Sequence, residues 1–210
     1  MPSLGSLIPA MLVERGIDTV FGIPGVHTVE MYRGLPGSGL RHITPRHEQG
    51  AGFMADGYAR ATGRPAACFI ITGPGMTNIA TAMGQAYGDS IPMVVISSVN
   101  AEADIGHGEG RLHEMKDQQA LVSGVAAWSR TVRDGPGLAE ALDDAMDLFA
   151  SGRPRPVHIQ IPIDRLTVET TAPAMRARAA APVATADQFA EAASLLNAAS
   201  RPVLILGGCA

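Results

Sequence analysis

Two uninterrupted apolar runs, Ala67-Cys68-Phe69-Ile70-Ile71 and Met93-Val94-Val95-Ile96, constrain this chain more than any other feature. Neither alternates polar with apolar residues, so neither suits a sheet with one face in water. Each needs cover on both faces, as the central strands of a parallel sheet have. A parallel sheet requires long crossover connections, and segments with helical spacing lie where those crossovers belong. Helices are predicted over 3–15 (capped by Ser3), 49–61, 76–87 and 138–150, and strands over 19–22, 40–44, 66–72, 93–98, 127–132 and 157–161. Within 49–61, Phe53, Met54, Gly57, Tyr58 and Ala61 read as the packed face. Pro92 precedes its strand, where a missing N–H is tolerated. The alternation predicts the α/β class: a doubly wound, mostly parallel sheet flanked by helices on both faces.

Only 4% of the residues are aromatic, so the core falls to Ala, Val, Ile, Leu and Met. With 210 residues, 46% of them hydrophobic, the chain can bury one full core and begin another domain. The expected first domain is 1–168. The stretch 169–185, rich in Ala, Pro and Thr, reads as an exposed linker. A helix over 187–199 and a strand over 202–206 read as the start of a central α/β domain, 186–210, too small to bury a core alone. A net charge of -4 without Lys/Arg clusters argues against nucleic acid or an anionic membrane as partner. The apolar run 7–13 lacks a preceding basic residue and is too short to span a bilayer, so no leader or anchor is read. Cys68 and Cys209 fall in apolar runs and read as buried small hydrophobes, which fits a reducing, cytoplasmic setting.

Three turns could carry chemistry. In Arg46-His47-Glu48-Gln49-Gly50-Ala51-Gly52, Glu48 stands between a strand end and a helix start. In open α/β sheets that rim is where ligands bind. A helix-start carboxylate can equally serve only the helix dipole, worth about 0.3–1 kcal/mol. The second turn, Thr72-Gly73-Pro74-Gly75-Met76-Thr77-Asn78, lets backbone approach a ligand and opens on free helix N–H groups, or is simply a tight strand-to-helix turn. A dinucleotide fingerprint would need glycine in place of Asn78 and an acid in place of Ser97-Ser98. Phe21-Gly22-Ile23-Pro24-Gly25 is the third. Five of the six histidines, His27, His42, His47, His107 and His113, invite a metal reading, but their spacings match no metal-ligand motif.

These turns, together with Asp89-Ser90-Ile91-Pro92 and Ser151-Gly152-Arg153-Pro154-Arg155-Pro156-Val157, occur in an order that resembles thiamine-diphosphate enzymes of the acetolactate synthase and 2-oxo acid decarboxylase family. The resemblance covers about 3–165, the family's N-terminal pyrimidine-binding domain. It implies that Glu48 shares a proton with a ring nitrogen of the aminopyrimidine and so helps the cofactor deprotonate its own thiazolium carbon. It implies that Ile23, Pro24, Gly25, Thr72, Pro74 and Asn78 contact the cofactor. Asn78 could also be only a helix-start cap.

The resemblance further implies Mg2+ and diphosphate on a C-terminal domain with a Gly-Asp-Gly motif, contributed by a second subunit in a homodimer or homotetramer. The only Gly-Asp in this sequence is Gly88-Asp89-Ser90. Residues 1–210 alone are therefore expected to be inactive and to present an apolar patch to a partner domain. Flavin (FAD) on the central domain, found in some members, is left open.

The stretch 100–119 reads as a mobile loop at the same rim. Leu112-His113-Glu114 replaces the Phe-Gln-Glu of acetolactate synthases, and Val26 replaces their second glycine. His113 is a candidate to position or protonate substrate, or is a solvated loop histidine. Glu102, Asp104, Glu109, Glu114 and Asp117 raise the alternative of a cationic 2-oxo acid such as 5-guanidino-2-oxopentanoate, in place of acetolactate chemistry. The Ile-Pro-Gly-Val-His and Leu-His-Glu variants resemble a guanidino-oxopentanoate decarboxylase branch. A non-catalytic binding or assembly module on the same fold is the reading of another class.

Overall fold

The computed structural model describes residues 1–171, 173–177 and 183–205. Contacts divide the chain into two units, Met1–Arg178 and Ala179–Ala210.

The first unit is built on a six-stranded sheet of order β2-β1-β3-β4-β6-β5. The strands are β1 (Thr19–Gly22), β2 (Arg41–Ile43), β3 (Ala66–Ile70), β4 (Met93–Val99), β5 (Ser129–Thr131) and β6 (Val157–Pro162). Every pairing is parallel. Helix α1 (Leu4–Glu14) precedes the first strand; the crossovers carry α2 (Val29–Arg33), α3 (Glu48–Thr62), α4 (Pro74–Asp89), α5 (Gln118–Val122) and α6 (Gly135–Ser151), and α7 (Ile163–Leu166) follows the last strand. The apolar runs are central strands, as their composition requires. All five residues of β3 and all seven of β4 are buried.

The strand period of two sorts these residues into two cores. Val20, Ala67, Phe69, Val94, Ile96 and Ile159 pack under α1 and α6. Phe21, Cys68, Ile70, Met93 and Val95 pack under α3 and α4. Cys68 is fully enclosed, and burial drives its thiol pKa up. The doubly wound α/β architecture follows directly, with parallel strands covered on both sides.

Several local expectations need correction. The buried face of α3 is Ala51, Gly52, Ala55, Asp56 and Ala59. Phe53 and Met54, expected inside, are 43% and 45% exposed. The cause is close approach to α4: a Cβ at Gly52 would lie 2.5 Å from the Cβ of Ala82. Only small side chains fit there, so the larger ones turn outward. Of that face, Tyr58 does reach inward, stacking edge-on against Phe21 at 6.4 Å. The edge strands are shorter than the stretches 40–44 and 127–132 from which they were read. The helices α2, α5 and α7, of five, five and four residues, are too short to show a helical period.

Helix α1 begins where read, with Ser3 Oγ accepting from Ser6 N–H. The buried Arg15 guanidinium follows it and donates to Asp143 of α6 at 2.8 Å. Residues 173–177 lie along the first unit, where Arg176 pairs with Asp144 and Asp147.

In the second unit, α8 (Ala186–Ala198) is started by a capping box between Thr185 and Gln188. Residues 202–205 form no strand. Leu206 and Cys209, and the readings made of them, lie outside the described residues. Among the described residues no helix is long and apolar enough to cross a membrane.

Candidate functional site

The strand order reverses direction between β1 and β3: the chain leaves β1 toward β2 and returns on the other side as β3. In this order the ligand crevice lies outside the carboxyl ends of those two strands. The turns read from sequence start there. One follows Gly22 and the other follows Ile70. They touch, since a Cβ at Gly25 would meet Ile71. Ile23 and Gly25 are half-buried on the first turn, and Pro24 is exposed. Pro24, Gly25, Val26 and Val29 line a shallow apolar depression of about 480 Å³.

Glu48 is the first residue of α3, and His47 caps the helix by accepting from Gln49 N–H. The helix dipole favours a carboxylate at this end. Glu48 Oε2 accepts one hydrogen bond, from Asn78 Nδ2 at 2.9 Å, and no other protein partner is found among the described residues. Asn78 therefore does not cap α4, which begins at Pro74. It reaches across to α3 and orients the carboxylate. A half-buried carboxylate with one partner retains free acceptor capacity.

Behind the second turn the strands carry polar side chains in an otherwise apolar sheet. Thr72 is fully buried, its hydroxyl 2.9 Å from Ser98 Oγ and 3.4 Å from Nδ1 of His27. Gly73 N–H donates to Gln118 Oε1 at 3.0 Å. Gln118 Nε2 in turn donates to Ser97 Oγ at 3.0 Å. Ser97 Oγ lies 2.8 Å from His158 Nε2, and Ser129 Oγ lies 2.7 Å from His158 Nδ1, so both ring nitrogens have hydroxyl partners. His158 is wholly buried, and desolvation pushes its pKa down to about 3, so the ring stays neutral.

His113 also reaches this place. Its carbonyl oxygen lies so close to Gly73 that a Cβ there would collide with it, and Gly73 has φ +65°. The His113 ring packs edge-on against His27, with centroids 5.7 Å apart. His113 itself has φ +58°, and its Nδ1 is buried without a partner. Thus Glu48, Asn78, Thr72, Ile23, Gly25, Pro74 and His113 all belong to turns or helix starts at the carboxyl rim.

Gln118 was not singled out in the sequence, and His27 and Ser98 were named there only within a motif variant, a rejected metal set and a missing ribose-binding acid. The available signal was the placement of Ser97, Ser98, His158 and Gln160 in buried strands, where unpaired polar groups are costly.

The loop carboxylates are already engaged. Glu102 pairs with Arg133, and Asp104 and Glu109 both pair with Arg111. Asp117 caps α5 through Ala120 N–H. Glu114 accepts from the backbone N–H groups of Gly108, Glu109, Gly110 and Arg111. These bonds, with the Arg111 amide first, hold its pKa below the usual value. No free acidic cluster remains in this loop to attract a cation.

Residues 2–121 match the family described as thiamine pyrophosphate enzyme, N-terminal TPP binding domain. The chain belongs to the thiamine pyrophosphate enzymes. It is 53% identical over 207 residues to the "Probable 2-ketoarginine decarboxylase AruI" of Pseudomonas aeruginosa, covering 97% of this chain and 37% of that protein. It is 41% identical over 201 residues to acetolactate synthase isozyme 1 large subunit of Escherichia coli, covering 94% and 35%. It is 33% identical over 217 residues to the mitochondrial acetolactate synthase catalytic subunit of Saccharomyces cerevisiae, covering 97% and 31%. The chain spans about a third of the length of the curated relatives it matches.

The residues present fit the pyrimidine end of the family's cofactor: an oriented carboxylate with spare acceptor capacity, beside a turn where backbone can come close. Among the described residues, no group of three or more His, Cys, Asp or Glu is placed to hold a metal ion.

Proposed function

We propose that this chain is the pyrimidine-binding part of a thiamine-diphosphate-dependent enzyme that decarboxylates a 2-oxo acid. The observation that carries the reading is Glu48, held at the sheet's switch point by one bond from Asn78. When bound, thiamine diphosphate supplies a carbon nucleophile and an electron sink. The protein residues do the rest. Glu48 holds or yields a proton at a pyrimidine nitrogen. Asn78 keeps the carboxylate aimed. Ile23, Pro24, Gly25 and Pro74 form the wall against which the ring is oriented, and Thr72, fully buried, supports that wall from behind. His113 stands where a substrate would enter and serves to position it or to move a proton.

For the substrate we favour a 2-oxo acid with a guanidino tail, 5-guanidino-2-oxopentanoate. Support comes from the 53% identity to the Pseudomonas protein, not from the loop acids, which are paired internally. The 41% identity to an acetolactate synthase supports a second reading, carboligation of pyruvate. Mg2+ and the diphosphate belong, on this proposal, to a C-terminal domain of a second subunit, in a cytoplasmic homodimer or homotetramer. Exposed Val26, Val29, Phe53 and Met54 on the rim elements are the surface such a domain would cover.

The test is turnover of 5-guanidino-2-oxopentanoate against pyruvate by the full-length enzyme. The guanidino acid should be preferred, and equal or faster use of pyruvate rejects it. Calorimetry on residues 1–210 should give no tight cofactor binding. Micromolar affinity would contradict the division of the site between subunits.

A further inference from the structure

His27 comes from the turn after β1 and His113 from the loop after β4, 86 residues apart in sequence, yet their rings meet edge-on at 5.7 Å. His27 is 8% exposed and is tied through Nδ1 to Thr72, which Ser98 holds in turn. The His113 ring has no hydrogen bond to any described residue, and its buried Nδ1 is unpartnered. An unpaired buried ring nitrogen calls for a specific cause, since nearly all such groups find partners. The backbone under it is in the left-handed region at φ +58°, a conformation kept only where the surroundings enforce it. The surroundings here are the Gly73 turn, the bond from Asn100 Nδ2 to the Leu112 carbonyl, and the His27 ring.

We propose that His27 is a positioning residue which, anchored by Thr72 and Ser98, fixes the His113 ring so that the His113 imidazole receives the carboxylate of the 2-oxo acid. The proposal rests on the 2-oxo acid reading above.

Three features point to a carboxylate. The loop's own acids all bond to Arg111, Arg133 or backbone N–H groups, so none of them bonds to either ring. Two imidazolium rings this close repel, and burial and His113 both lower the pKa of His27. His27 therefore favours its neutral form, in which one ring nitrogen accepts and the other donates. Finally, neither ring presents its free nitrogen to another described protein group, so a ligand oxygen meets no competitor.

The test is a double-mutant cycle in the full-length enzyme, read by kcat and KM for 5-guanidino-2-oxopentanoate and, separately, by thiamine diphosphate affinity. H27A should lower kcat/KM about tenfold or more, mainly through KM, with cofactor affinity unchanged. H113A should lower it roughly 10²-fold. H27A/H113A should be no worse than H113A, because the two act through one contact. H27N, which keeps a polar group toward Thr72, should recover part of the loss, and T72V should reproduce a smaller part of it. Wild-type kcat/KM in H27A, multiplicative losses in the double variant, or loss of cofactor affinity in H27A would each overturn the proposal. Failure of the underlying reading looks different: E48Q would retain turnover, whatever the histidine cycle gives.

Discussion

Glu48 and Glu114 are the same residue type at the same rim of one sheet, and their surroundings differ completely. Glu114 is spent, with both oxygens saturated by four backbone N–H groups of its own loop. Glu48 is left open, with one bond from Asn78 and a helix dipole behind it. A carboxylate satisfied by its own loop builds structure. A carboxylate oriented by one partner and otherwise unsatisfied is available to a ligand. The histidines divide in the same way. His158 is closed between Ser97 and Ser129, whereas the buried Nδ1 of His113 has no hydrogen-bond partner among the described residues.

This contrast can be broken most sharply at Glu48. E48Q in the full-length enzyme should cost roughly 10²–10⁴ in turnover. Its thermal midpoint should move little, since only the helix-dipole contribution of about 0.3–1 kcal/mol is lost. Near-normal turnover would place Glu48 with Glu114 among the structural acids.

Next is G73A, which puts a Cβ into the His113 carbonyl and a side chain at φ +65°. The left-handed conformation alone costs about 1–2 kcal/mol. Thermal unfolding should show at least that loss, and amide exchange should show the 111–114 segment released. An unshifted midpoint would mean that the turn and the loop are not coupled.

His158 gives a third test. Its folded pKa is lowered, so between about 6.5 and about 3 the unfolded chain binds a proton that the fold does not. Stability is therefore full above about 6.5 and falls with acidification, by about 1.4 kcal/mol per pH unit from this group. H158N should remove that share of the slope in urea titrations at several pH values, and an identical slope would refute it.

The smallest effect is expected at Glu114. Its lowered pKa means that the loop bonds are present above the ordinary value of 4.5 and are lost as pH falls through the depressed one. E114Q keeps one acceptor oxygen, so two of the four amides at 108–111 should exchange faster at neutral pH while global stability stays unchanged. Equal protection of all four would show that the carboxylate is not what holds the loop.

The sheet was legible because burial on both faces leaves an unmistakable composition: β3 and β4 could be read as central strands from their residues alone. The rim turns were legible because glycine and proline mark where backbone must bend. The packed face of α3 was misread, since a period argument rewards large apolar residues, whereas the contact with α4 admits only Ala51, Gly52, Ala55 and Ala59. The loop acids looked unpaired because Arg133, the partner of Glu102, lies 31 residues away. The contacts of His27 were unforeseen for a similar reason. Nothing in Val26-His27-Thr28 foretells that folding brings Thr72 and His113 to it.

The missing methyl group at Gly52 has a consequence well away from its own contact. Glu48 stands one turn before it on α3, and Ala82 stands one turn after Asn78 on α4. The spacing of the two helix axes therefore fixes the separation of the two side chains whose 2.9 Å bond aims the carboxylate. An alanine at 52 would act as a wedge, prising the helix starts apart and loosening Glu48 without touching it. Natural variation at this interior position would then tune the reactivity of the rim from a distance, through the geometry of a helix pair.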